Sequence, residues 1–230
     1  NIWQPVDVSG LTFGTHGFYL DFEASDNLGN DANGGTDLTE SGLAAIDQKT
    51  DTCTNNFATM NPLVKGNTAL TFSEANLKLT SGGGWGHAVG NIGVAYGKWY
   101  WEVDEINANN NAFFGICSET AMNHLTNDST PYSEDGLMLW FYDGRRTIDG
   151  TDSEGEFSGW GTTHGFALDL DSSPRTIKFY KDGSLEATEN LTSNFPAGEF
   201  VFPIFMGSAS SNPAIVEFNF GNPVTALASG

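Results

Sequence analysis

Gly97-Lys98-Trp99-Tyr100-Trp101-Glu102-Val103 is the stretch whose reading decides the fold. Trp99, Trp101 and Val103 alternate with Tyr100 and Glu102, the period of two expected of a strand with one buried face. The same alternation recurs on the C-terminal side. Phe166, Leu168 and Leu170 alternate with Ala167, Asp169 and Asp171, and Ile177 and Phe179 with Lys178 and Tyr180. Val216, Phe218 and Phe220 alternate with Glu217 and Asn219. Phe113 to Cys117, Leu137 to Tyr142 and Val201 to Met206 read as further strands. Turn clusters at Asn107 to Asn111, Asp143-Gly144 and Ser208 to Asn212 separate them. Lys181-Asp182-Gly183-Ser184 predicts a hairpin, because Asp-Gly supplies the positive φ angles such turns need. No segment carries a long 3.6-residue apolar period. Only Ser41 to Gln48 and Glu119 to Leu125 suit one or two helical turns. The chain is therefore expected to be all-β.

Composition agrees. Of 230 residues, 39% are hydrophobic and 13% aromatic, enough to fill a sizeable core, so wholesale disorder is not expected. The 28 glycines and the low charged fraction of 17% suit short strands joined by tight turns. The net charge is −20, from 29 acids against 9 bases. That balance offers no basic footprint for phosphate, so a nucleic-acid partner is not expected. An anionic membrane surface would repel the chain. The longest apolar runs, such as Phe200 to Met206, fall far below the roughly 20 residues of a spanning helix, so membrane insertion is not expected either. The acidity reads as a solvated, repulsive surface, or in part as carboxylates that hold Ca²⁺. Cys53 and Cys117 form no metal-type pair; buried free thiols are expected, with one disulfide as the alternative. No secretory signal is visible after Asn1, and the lack of an initiator Met suggests a piece of a longer protein.

Six ordered segments over about residues 70–222 together resemble a SPRY domain, a bent β-sandwich. They are Gly97 to Val103, Phe114-Gly115-Ile116-Cys117, Gly165 to Asp171, Thr176 to Gly183, Phe202-Pro203-Ile204 and Phe218-Asn219-Phe220-Gly221. Where that family often has a glycine-aspartate turn before its central strand, Gly161-Thr162-Thr163-His164 stands here, so the loop is expected to differ in shape. The resemblance implies a bent antiparallel β-sandwich of the SPRY or concanavalin-like jelly-roll kind. Residues 1–66 are expected to form an N-terminal strand and loop extension packed on a sandwich at 67–230. Leu11 to Gly14, Gly17 to Phe22, Leu28 to Asp31 and Asn55 to Pro62 resemble stretches that precede SPRY-like domains in marine phage structural proteins. The loop Asn30 to Asp37 is also similar to the Asn/Gly/Asp-rich loop of laminin-G-like jelly rolls.

No motif for catalysis stands out. There is no Gly-x-Ser-x-Gly elbow, His-Glu-x-x-His, phosphate-binding glycine loop or Cys-rich zinc spacing. His16, His87, His124 and His164 lie in or near Gly/Asn/Thr-rich stretches and read as loop residues. With so many acids, some carboxylate pair would always suit a glycosidase, so abundance is not diagnostic. Glu102 and Glu217 are expected to face solvent. The loop Asp26 to Asp37 is the best metal candidate, with Asp31, Asn33 and Asp37 offering oxygens to Ca²⁺. A surface loop rich in Asx turns accounts for the same residues.

In SPRY domains ligands are held by loops at one rim. That resemblance nominates Trp85, His87, Tyr132, Tyr142, Arg145, Arg146, Trp160 and His164 as ligand-binding residues. Exposed Trp, Tyr and Arg anchor interfaces, and aromatic faces stack on sugars. Trp99, Trp101 and Trp140 are expected in the core. Arg145 and Arg146 would otherwise balance neighbours such as Asp143 and Asp149. The resemblance implies a non-enzymatic recognition module on the phage virion surface, as a tail-fibre or receptor-binding part. Its partner would be a host surface glycan or protein, or neighbouring virion subunits, and a homo-trimer is plausible by the same resemblance. Alternatives are a capsid-decoration or tail-scaffold domain, a cellular peptide-binding SPRY adaptor, and a carbohydrate-active enzyme on a jelly roll.

Overall fold

The computed structural model describes residues 8, 10–48, 56–65, 70–107, 112–125, 135–141, 143–153, 161–208 and 212–221. The chain divides into two compact units, Asn1–Phe57 and Ala58–Gly230. In the first unit the described residues form turns and one 3-10 turn, Ala45–Asp47, within the stretch expected to be helical. No strand is formed among the described residues of Gly17 to Phe22. The strand Met60–Lys65, grouped in sequence with the extension, is hydrogen-bonded into the sandwich.

The second unit holds β1 (Met60–Lys65), β2 (Leu70–Ser73), β3 (Lys78–Ser81), β4 (Gly86–Gly90), β5 (Lys98–Asn107) and β6 (Ala112–Ser118). A short helix, α1 (Glu119–Leu125), follows. Then come β7 (Leu137–Phe141), β8 (Arg146–Ile148), β9 (Thr151–Ser153), β10 (Thr163–Asp169), β11 (Thr176–Lys181), β12 (Ser184–Asn190), β13 (Val201–Gly207) and β14 (Ile215–Asn219). They make two seven-stranded antiparallel sheets, ordered β1-β4-β13-β6-β7-β8-β9 and β12-β11-β10-β5-β14-β3-β2. The expected all-β antiparallel sandwich is thus the observed fold, and α1 matches its expected bounds.

The alternation read from the sequence places the core. Trp101 and Val103 on β5, Phe166 and Leu168 on β10, Ile177 and Phe179 on β11, and Val216 and Phe218 on β14 point to the other sheet. They meet Phe114 and Ile116 on β6, Met138 and Trp140 on β7, and Phe205 on β13. Burying each large apolar side chain contributes about 1.5–3 kcal/mol. The β11–β12 hairpin closes through Asp182 and Gly183, both at positive φ, with Lys181 opposite Ser184.

The first sheet is covered on its second face too. Phe113, Cys117, Leu139, Phe141, Ile204 and Met206 form another apolar cluster with Ala121 and Leu125 of α1, and half-buried Trp85 packs on it. This explains the unbroken apolar runs of β6 and β7: a strand buried on both faces has no polar side to show. Cys117 lies fully inside this layer, and burial pushes its thiol well above the usual range. Cys53 lies outside the described residues. Cys117 should therefore resist iodoacetamide in the native protein and react at full rate once denatured, as followed by mass spectrometry. Rapid native labelling at Cys117 would contradict this packing.

Candidate ligand-binding groove

The second sheet leaves part of its outer face open, and its register builds a groove there. Side chains one residue apart point to opposite faces, so paired residues form rows. Tyr100, Ala167 and Lys178 share one row; Glu102, Gly165 and Tyr180 share the next; Lys98, Asp169 and Thr176 share the third. The central strand contributes Gly165 and Ala167, too small to fill the space between the tall flanking side chains. A groove of about 360 Å³ results, lined by Lys98, Trp99, Tyr100, Asp169, Lys178 and Tyr180, among others. Tyr100 leans over Gly165, where a Cβ would come within 2.5 Å of the phenol oxygen. Only glycine leaves room for that ring.

Trp99 corrects an expectation. It was placed in the core by its phase with Trp101, yet it is 49% exposed, whereas Trp101 is 5% exposed. Its Nε1 donates to the Tyr96 carbonyl at 2.7 Å. Its ring folds back against Gly97, where a Cβ would come within 2.9 Å of Nε1. A tied indole edge leaves an aromatic surface for a ligand with little rotamer entropy left to lose. Tyr96 and Tyr100 are also exposed.

The polar groups of the groove are largely engaged. Tyr100 Oη donates to Glu102 Oε1 at 2.8 Å. Burial, then that hydrogen bond, pushes the Tyr100 phenol up to about 12, so it stays a donor. Lys98 Nζ lies 2.8 Å from Asp169 Oδ2. Asp169 also accepts from Asp171 N, Ser172 N and Ser172 Oγ at 3.1, 2.9 and 2.8 Å. The Lys98 bond leads these contacts in holding the Asp169 carboxyl far below its ordinary range, and Asp169 in turn raises Lys98. Among the described residues Lys178 forms no ion pair.

The residues nominated from sequence lie elsewhere. Tyr132, Tyr142 and Trp160 fall outside the described residues. His87, on β4, is 1% exposed, and His164, on β10, is 0% exposed. Both are strand residues of the interior rather than loop residues, which corrects their assignment to a rim. The signal for His164 was present: it shares the parity of Phe166, Leu168 and Leu170. Its ring stacks near Phe114 and Phe179, with centroids 5.4 and 6.0 Å away, and lies 3.7 Å from the buried carboxylate of Glu105. Burial lowers His164 to about 4, against a smaller opposing pull from Asp182. The atypical loop before β10 is tied to the β11–β12 turn: Thr162 N and Thr163 N donate to Asp182 Oδ1 at 2.8 and 3.0 Å.

Trp85 stacks on Phe113, with ring centroids 5.0 Å apart. Arg145 pairs with Asp143 and Asp152 at 2.7 and 2.9 Å, and lies over the Phe141 ring. Arg146 pairs with Glu189 and donates to Ser153 Oγ, so it links β8 of one sheet to β12 of the other. Both arginines therefore balance acids, as the plainer reading had it, with Asp152 and Glu189 as partners beyond Asp143.

In the N-terminal unit, Asp31 is buried and its carboxylate accepts backbone N–H bonds from Tyr19, Asn33 and Gly35 at 2.9, 3.1 and 3.1 Å. Asp31 N donates to Asp37 Oδ1 at 3.0 Å and Asn27 Nδ2 to Asp37 Oδ2 at 2.8 Å, which lowers the Asp37 carboxyl. Asp31, Asn33 and Asp37 thus meet in a web of Asx-turn hydrogen bonds. Among the described residues, no three His, Cys, Asp or Glu side chains converge as for a metal ion, and no helix is long and apolar enough to cross a membrane.

Comparison with known proteins locates the fold. No protein-family model matches the chain, and no curated protein matches it. Among solved structures, the SPRY domain of human HERC1 aligns with a TM-score of 0.54 at 19% identity, covering 70% of this chain and 98% of that one. Stonustoxin aligns with a TM-score of 0.50 at 15% identity, covering 70% of this chain but only 27% of its own length. At these identities the likeness is one of fold: the chain carries a SPRY-like β-sandwich.

Proposed function

We propose that this chain is a non-enzymatic recognition module of a phage virion protein, a tail-fibre or other receptor-binding part that contacts a host surface glycan or protein. The observation that supports recognition is the groove on the second sheet, where Tyr100 and Tyr180 flank small central residues. Rigid strands present these rings, so little ordering is lost on binding. The virion setting draws on the N-terminal stretches similar to marine phage structural proteins. In that setting the unit would be displayed on the particle surface, as a trimer or against neighbouring virion subunits. The strongly acidic surface suits display in salty water.

A second reading is a cellular peptide-binding adaptor, favoured by the likeness to the human HERC1 SPRY domain. The two readings are separated by incubating the fluorescently labelled chain with susceptible bacterial cells. Saturable cell binding that falls at least about tenfold in Tyr100→Ala and survives EDTA is the result expected of the proposal. Failure to bind any host cell, at concentrations where weak lectins do, would refute the receptor role. Failure on cells together with capture of defined peptides would establish the adaptor instead.

A further inference from the structure

We infer that the groove over β5, β10 and β11 binds a sugar residue carrying a carboxylate, its ring stacked on Tyr100 and its acid group held by Lys178. The inference rests on the recognition reading above and specifies the ligand class. Its first support is shape. The groove, about 360 Å³, lies at the small end of ligand sites, which run about 300–1,000 Å³. Tyr100 and Tyr180 stand on its walls and Ala167 forms its floor, a shape for one flat ring rather than a long chain. Strands β10 and β5 are interior to the sheet, each hydrogen-bonded on both sides. An extended peptide therefore finds no free strand edge to join here.

Its second support is charge. The chain is at −20 overall, yet the ionised groups lining this groove are Lys98, Asp169 and Lys178. The Lys98 and Asp169 charges cancel at 2.8 Å. The Asp169 oxygens already take four donors, so they have little capacity left for sugar hydroxyls. Glu102 already accepts the Tyr100 hydroxyl. Glu102 keeps its negative charge in the next row, on the Tyr100 side, and the cation left without an ion pair among the described residues is the Lys178 ammonium, half-buried on the wall opposite Tyr100 across Ala167. A neutral sugar offers that ammonium only hydroxyl oxygens as acceptors. A carboxylate on a stacked ring completes it with a charge-assisted hydrogen bond.

The test titrates the whole chain with glucuronate- and sialate-terminated oligosaccharides and with neutral counterparts of equal length. Acidic sugars should bind at least about tenfold more tightly than neutral ones. Their affinity should fall as salt rises and drop about tenfold or more in Lys178→Gln, while Lys178→Arg retains it. Tyr100→Ala should abolish it. Lys178 and Tyr100 carry no core packing, so unchanged melting curves verify that the variants fold. Equal binding of neutral sugars, insensitivity to Lys178→Gln, or preference for an acidic peptide would each overturn the inference. Absence of all saccharide binding would overturn it as well. The recognition reading is judged apart: Tyr100-dependent binding to host cells without saccharide binding leaves it standing, and loss of both ends both.

Discussion

Replacing Trp140 by Ala should lower the unfolding free energy by about 3–5 kcal/mol. Trp140 is fully buried on β7 between the sheets. It stacks on Phe179 with centroids 5.8 Å apart and meets Phe166 edge-on at 5.6 Å. Phe179 and Phe166 belong to the opposite sheet, so this indole is a joint between the two layers. Truncation removes the transfer energy of the ring and leaves a cavity between the two sheets. For a unit of this size the melting midpoint should fall by about 10 °C. Trp99→Ala is the matched control. It deletes the same side chain from a half-exposed site and should change stability by about 1 kcal/mol or less. Calorimetry on both variants decides it: equal losses would mean that the two tryptophans do not occupy the environments described.

Acid should destabilise the sandwich through His164. Its ordinary value is 6.5 and burial lowers it to about 4 in the folded chain. The unfolded chain therefore binds a proton at this site between those two values while the folded chain does not. Stability is fully present above about pH 6.5 and is lost as pH falls toward about 4. Each pH unit in that window is worth about 1.4 kcal/mol, so the loss is about 3 kcal/mol. His164 is 0% exposed, so solvent screening does not erode the effect. Many carboxylates titrate at the low end of this range. The measurement is accordingly the difference between the native chain and His164→Gln in urea unfolding at pH 7.5, 6, 5 and 4. The variant should be less stable at pH 7.5 and show a flatter profile below it. Parallel profiles would show that His164 keeps its ordinary affinity for protons and that its burial is overstated.

The fold was legible because alternation is a local signal. Phe166, Leu168, Ile177, Phe179, Val216 and Phe218 each announced an inward face, and Asp182-Gly183 announced its hairpin. The pairing of strands distant in sequence is not local, and the groove depends on it. Nothing in Tyr100, Ala167 or Lys178 taken singly shows that they stand in one row. The clue was available only in combination: two bulky outward residues flanking a strand whose outward residues are small. His87 and His164 were misplaced because neighbouring glycines and threonines were weighed as loop formers, whereas the parity of the following apolar residues is the stronger guide. Trp99 failed in the opposite direction. Parity placed it inward, but the indole turned back over Gly97 to reach the Tyr96 carbonyl.

The two sheets differ in how many of their faces are buried, and that asymmetry bears on how the protein can change. On β6 and β7 nearly every substitution disturbs one apolar layer or the other. On β5, β10 and β11 the outward residues Tyr100, Ala167, Lys178 and Tyr180 can be exchanged without touching the layer beneath. A lineage, or a combinatorial library, can thus explore new specificities at those four positions while the folded state stays fixed.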